Sequence, residues 1–236
     1  MVQKKVVILQ SNYIPWKGYF DLINLVDEFI LFDDVQYTRR DWRNRNLIKT
    51  RTGLLWLTIP VNVKDNFTIP INEVTVAEPG WAKKHWATIS QNYAKAPYFR
   101  EYREAFEELY LNSRETHLSR INFNFIQRIN QIIGISTKLS WSTDYGLQPG
   151  KNEKLASLCL QAGATEYISG PAAKNYLDES YFAAQGIRVS WMDYSGYPEY
   201  NQLYLPFEHG VTILDLLFME GPNVRNFMKS FAKPVL

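Results

Sequence analysis

The stretch Gln10–Arg51, QSNYIPWKGYFDLINLVDEFILFDDVQYTRRDWRNRNLIKTR, decides the fold. Immediately before it, Val6–Leu9 is a short continuous apolar run, the pattern of a buried strand. Asn12, Pro15 and Gly18 then mark a turn. From Gly18 to Asp27, Tyr19, Leu22, Ile23 and Val26 recur at helical spacing, and Glu28–Phe32 is a second strand-like run. Strand, helix and strand in so short a span form a βαβ unit, whose strands run parallel. In an open α/β sheet, ligands bind outside the carboxyl ends of such strands. That edge carries Gln10, Asn12, Tyr13, Trp16 and Gly18 after the first strand, and Asp33 and Asp34 after the second.

The end of the same stretch is basic. Arg39, Arg40, Arg43, Arg45, Lys49 and Arg51 face a single carboxylate, Asp41, in a chain of net charge +2. Cations so concentrated point to an anionic ligand. Arg43, Asn44, Arg45, Asn46 and Lys49 read as a binding loop, because guanidinium groups fork onto phosphate or carboxylate oxygens.

Outward from this stretch, Leu54–Val63 and Ile71–Val76 read as a pair of strands joined through Asp65 and Asn66. Trp81–Gln91, Arg100–Leu111 and Glu115–Gly134 read as helices, with Pro97 separating the first two and Gly134 stopping the third. Lys138–Trp141 is a strand, Asn152–Ala162 a helix, Glu166–Ser169 a strand with a Gly170-Pro171 turn, Tyr181–Gln185 a short helix, Ile187–Trp191 a strand and Val211–Met219 a late helix. The fold class is therefore α/β: a Rossmann-like parallel sheet flanked by helices, in one domain spanning 1–236 with a mostly helical insertion at about 81–134.

Composition sets further bounds. The 236 residues are 46% hydrophobic and 15% aromatic, ample for a core and for aromatic side chains at a ligand site. The single cysteine, Cys159, excludes an intramolecular disulfide and any multi-cysteine metal site, and it lies on the apolar face of a helix. His85, His117 and His209 share no ligand spacing, so no protein-bound metal is expected. No signal peptide and no apolar run of membrane-spanning length is read, so a cytoplasmic location is expected. There is no G-x-S-x-G elbow, P-loop or G-x-G-x-x-G.

Ile168–Asp178 supplies the last constellation. Ser169 and Gly170 end a parallel strand at the expected ligand edge, and Lys174 and Tyr176 follow at once. Lys174 could neutralise a phosphate or stabilise a developing oxyanion. The loops Asn12–Gly18, Asp33–Arg45 and Ser169–Tyr176 are expected to line one pocket.

Taken in order, QSNYIPWKGYFDLI, FDDVQYTRRDWRNRNLIKT, LTIPV, AGATEYISGPAAKNYLD and ILDLLF resemble the WbqC-like family over nearly the whole chain. The resemblance implies a role in gene clusters for O-antigen and other surface polysaccharides, hence a nucleotide-linked sugar or an activated acyl donor as ligand. A more distant resemblance is to the HIGH-type nucleotidylyltransferases, pantothenate synthetase among them. Tyr13 and Lys17-Gly18 fall near their signature, but its histidines are missing.

The expected function is a biosynthetic transferase of O-antigen, that is lipopolysaccharide, assembly, moving an acyl or aminoacyl group to a nucleotide-linked amino sugar. Asp33 or Asp34 would be the base, the Arg43–Lys49 segment and Lys174 would hold phosphates, and Tyr13 and Trp16 would flank the sugar or base. The alternatives are an ATP-dependent ligase or nucleotidylyltransferase, with magnesium entering as ATP/Mg, and a non-catalytic sugar-nucleotide-binding protein. Nucleic acid is not favoured at a charge of +2. A homodimer is allowed, and the identity of the sugar and donor is left open.

Overall fold

The computed structural model describes residues 3–63, 66 and 68–232. Asp65 lies outside them. Strand β1 (Lys5–Leu9) leads into helix α1 (Lys17–Asn24) and strand β2 (Glu28–Leu31). The predicted βαβ unit is present: β1 and β2 pair in parallel, with Val6 opposite Glu28 and Leu9 opposite Leu31.

The next segment departs from the reading. Arg45–Thr50 is a strand, β3, and pairs antiparallel with β4 (Gly53–Thr58). Asn44, Asn46 and Ile48 are buried while Arg43, Arg45 and Leu47 are half-buried. That alternation is the period of a strand, and the charge pattern had masked it. The predicted Leu54–Val63 strand splits into β4 and β5 (Val61–Asn62). The predicted Ile71–Val76 strand is a 3₁₀ turn, Ile71–Glu73, followed by β6 (Thr75–Val76), which pairs with β5.

Helices α2 (Trp81–Tyr93), α3 (Phe99–Leu111) and α4 (Leu118–Ile133) follow. Gly134 caps α4 in the left-handed region (φ 80°), which glycine adopts without a Cβ penalty. Then come β7 (Lys138–Trp141), α5 (Lys151–Gln161), β8 (Glu166–Ser169), α6 (Glu179–Ala184), β9 (Arg188–Trp191) and α7 (Ile213–Glu220).

The main sheet has the order β7-β2-β1-β8-β9, and every pairing in it is parallel. The chain moves outward from β1 through β2 to β7, then crosses back to β8 on β1's other side. This is the Rossmann-like order, with its switch point between β1 and β8. Successive strand residues face opposite layers. Val7, Phe29, Leu31 and Ile168 enter the larger core with α1–α4 and α7, while Val6, Ile8, Ile30 and Tyr167 enter a second core with α5 and α6. Both faces being covered explains why the central strands β1 and β2 read as apolar runs. Cys159 is fully buried in the second core, and burial pushes its thiol up to about 12. Among the described residues, no helix is long and apolar enough to cross a membrane.

Candidate functional site

Asp33 and Asp34 follow the carboxyl end of β2 and take different partners. Asp33 is buried: it accepts from the Ser11 backbone N–H at 2.8 Å and from the Ser119 hydroxyl. Burial raises its carboxyl above the usual carboxylate range, against the lowering pull of Ser119, Ser11 and Arg43. Asp34 accepts from Ser142 and forms an ion pair with Lys154 of α5 at 3.0 Å. The cation paired with Asp34 is thus Lys154, while Arg43 is the charge acting on Asp33.

Both carboxylates line a cavity of about 300 Å³ at the carboxyl edge of β2 and β7. Asn72 closes one side, and Trp141, Ser142 and Thr143 extend from β7. His117, Ser119 and Arg120 come from the start of α4. The first turn of a sixteen-residue helix presents backbone N–H groups and a partial positive charge, which favour an anion. Arg120 adds a full charge there, with its guanidinium 4.6 Å from the Trp141 ring centre. None of these residues stood out in the sequence. They come from three separate segments, and the only local signal was the strand end at Trp141.

A second cavity, of about 260 Å³, lies on the other side of the β1–α1 loop, lined by Asn12, Pro15, Trp16, Trp42, Asn46, His209 and Gly210. The loop between is held from several directions. Ile14 sits at φ 36°, a strained value for a β-branched residue. Asn46 donates to the carbonyls of Tyr13 and Ile14 at 3.0 Å each, and Tyr13 N–H donates to the Trp42 carbonyl at 3.0 Å.

Several residues expected to meet a ligand meet the protein instead. Tyr13 is fully buried, and its hydroxyl joins Tyr110 at 2.7 Å and His85 at 2.9 Å. Arg43 Nη1 donates to the carbonyls of Gln10 and Ser11 at 3.3 and 3.4 Å and to the Asn12 side chain, and its Nη2 faces Asp41 at 3.5 Å, so both arms of its fork meet the protein. Arg45 bonds the Arg40 carbonyl and lies 4.1 Å over the Trp56 ring. Asn44 is buried on the Ile59 carbonyl at 2.8 Å. Lys49 is buried on the Pro206 carbonyl, in the neighbourhood of Asp215.

Trp16 packs on Tyr194 and Tyr197. Its indole also covers Gly18, where a Cβ would lie 2.8 Å from the ring's Cε2 and closer still to two other ring atoms. Gly18 therefore admits Trp16 rather than a ligand. Ser169 is buried at the end of β8 and Gly170 follows it, half-buried. Lys174 stands exposed over Trp191 at 5.4 Å, and Tyr176 is exposed beneath Lys151. Neither cavity includes the 169–176 segment. The structure thus joins the first two predicted loops through Arg43 and Asn12, and the third approaches them at its start, where Gly170 lies beside Tyr194, the ring on which Trp16 packs.

Beside the loop, Lys17 is buried with no carboxylate in ion-pair range among the described residues. It donates to the Pro198 carbonyl at 2.7 Å and lies 5.1 and 5.3 Å from the rings of Tyr197 and Tyr200. Burial lowers its pKa to about 8, despite Asp21 and Glu199.

A parallel α/β sheet of this order, with a carboxylate-lined cavity at its carboxyl edge, defines a Rossmann-like protein. Residues 10–227 match the model of the WbqC-like protein family, and the chain belongs to that family. It is also similar to the uncharacterized protein Rv1507c of Mycobacterium tuberculosis (strain ATCC 25618 / H37Rv): 51% identical over 226 residues, covering 96% of this chain and 98% of that protein. No solved structure matches it.

Proposed function

We propose that this chain is a biosynthetic transferase of bacterial surface-polysaccharide assembly, moving an acyl or aminoacyl group onto the amine of a nucleotide-linked sugar. Family membership supports the pathway. The observation that supports the chemistry is the cavity in which buried Asp33 meets the N-terminus of α4.

In this reading the diphosphate lies against the first turn of α4 and Arg120, and Trp141 borders the sugar. The amine attacks the carbonyl of an activated acyl donor. A C–N bond forms, the bond from the acyl carbon to its leaving group breaks, and the amine's proton passes to Asp33. An ionised carboxylate has about four lone-pair sites, and Ser11 and Ser119 take two. A carboxyl raised by burial is better matched to accepting a proton than an ordinary one. Asp34, balanced by Lys154, shapes the wall beside it. Positioning and electrostatics supply the rate.

The test is a melting screen with nucleotide sugars, ATP and acyl-CoAs, followed by mass spectrometry of the hit incubated with donors. A ligand present at 100 times its Kd stabilises by about 2.7 kcal/mol. Arg120→Ala should weaken the sugar nucleotide by about 1.5–3 kcal/mol, and Asp33→Asn should bind it yet form no acylated product. A shift with ATP alone, with release of AMP or diphosphate, would replace this reading with a ligase.

A further inference from the structure

The β3–β4 hairpin, with Trp42 just before it, carries an apolar surface of which only Trp42 also borders the second cavity. Trp42, Leu54, Leu55 and Trp56 are each about 40% exposed or more, and the other large exposed apolar side chains among the described residues are scattered along the chain. Leu205, 85% exposed, joins them: its neighbour Pro206 accepts from Lys49, whose partner across the hairpin is Leu54. Cations surround the patch. Arg40 and Arg51 are exposed and form no ion pair among the described residues, and Arg45 lies on Trp56. From Tyr37 to Thr58 the only carboxylate is Asp41.

We propose that this hairpin docks the protein on an anionic phospholipid bilayer, with the two tryptophans and three leucines entering the interface and the arginines meeting headgroup phosphates. Three observations favour a bilayer over other occupants. Neighbouring strand residues point to opposite faces, so Leu54 and Trp56 lie on one side of β4 and Leu55 on the other. A flat protein partner covers one face, whereas a fluid interface covers both. A second copy would bring two strongly cationic hairpins together, which like-charge repulsion opposes. Stacking on nucleic-acid bases needs free aromatic faces, but Arg45 occupies one side of Trp56 and Trp42 crowds it at 5.3 Å. Tryptophan, aliphatic and basic side chains together suit a membrane surface.

The experiment is vesicle co-sedimentation of the full chain, with phosphatidylcholine alone and with an equimolar mixture of phosphatidylcholine and phosphatidylglycerol. Binding to the mixed vesicles only, weakened by salt, is expected. Arg51→Ala should weaken it about fivefold, the equivalent of about 1 kcal/mol per cation near the surface. The double change Leu54→Asp, Leu55→Asp should abolish it, with a melting curve confirming that the variant folds. Tryptophan emission should shift blue on mixed vesicles, and Trp56→Phe, which keeps a ring against Arg45, should reduce that shift while retaining sedimentation. No binding to mixed vesicles, or binding unaltered in the folded Leu54/Leu55 variant, would overturn the proposal. So would tighter binding to single-stranded RNA, or a vesicle-free dimer that the Leu54/Leu55 variant dissolves.

Discussion

Replacing Arg43 by alanine should destabilise the fold rather than remove a ligand contact. Its side chain is only 13% exposed, and its guanidinium reaches two carbonyls and an amide of the β1 loop, with Asp41 at 3.5 Å. The carbonyl contacts, at 3.3 and 3.4 Å, are long, so the Asn12 bond dominates. A hydrogen bond to a charged group contributes about 1.5–3 kcal/mol, and a part-exposed ion pair adds about 0–1 kcal/mol. The expected loss is about 2–3 kcal/mol, or about 4–12 °C in Tm for a chain of this size. Arg43→Lys keeps the charge but not the fork and should recover less than half. Calorimetric melting of the three proteins measures this directly. A Tm for Arg43→Ala within a degree of wild type, together with a large loss of ligand affinity, would refute the structural role and return Arg43 to the ligand.

Other consequences can be checked in the same way. Gly18→Ala should destabilise strongly, because its methyl meets the Trp16 indole, and adding Trp16→Ala should relieve part of that loss in a double-mutant cycle. Lys17 has a folded pKa of about 8, below the roughly 10.4 of an unfolded lysine. Between these values the unfolded state holds more protons, so Lys17 makes stability rise with pH across that window, and Lys17→Met should remove this rise in melting curves. Asp33 has the opposite sign: its folded pKa lies above the unfolded value of about 3.9, so its contribution to stability falls as pH rises from there through the folded value. Asp33→Asn should cancel that fall in Tm measured across the acidic range. If Asp33 is the base, the transfer rate of the wild type should rise with pH over the same interval; a flat profile would argue against it.

The parts of the fold that could be read from sequence are those governed by local apolar pattern. β7 and β8 have the predicted bounds, and the helices begin or end within a few residues of the predicted ones; β1 and β2 were legible because they are apolar runs covered on both faces. β3 was hidden because buried side chains in and beside it, Asn44, Asn46 and Lys49, are polar and are satisfied by distant carbonyls at Ile59, Tyr13, Ile14 and Pro206. The two aspartates were legible as residues at a strand end. Their surroundings were not, since Ser119, Ser142 and Lys154 arrive from α4, the end of β7 and α5, and no spacing in one segment encodes that meeting. The arginines show the converse: charge density marked the segment correctly as special but said nothing about whether its partners were backbone carbonyls or a ligand.

The position of β1 at the centre of the sheet has a consequence for synthesis. One edge of β1 is paired as soon as β2 leaves the ribosome, but the other waits for β8, after α2, α3, α4, β7 and α5 have all been made. Through most of translation the nascent chain therefore carries a bare apolar strand edge, a template for pairing with another chain. Chains arrested before Glu166 should aggregate or engage chaperones, while chains extended past Ser169 should become protease-resistant. Closure of the sheet is thus a late event that depends on pairing between the first strand and one far along the chain, Lys5 opposite Glu166.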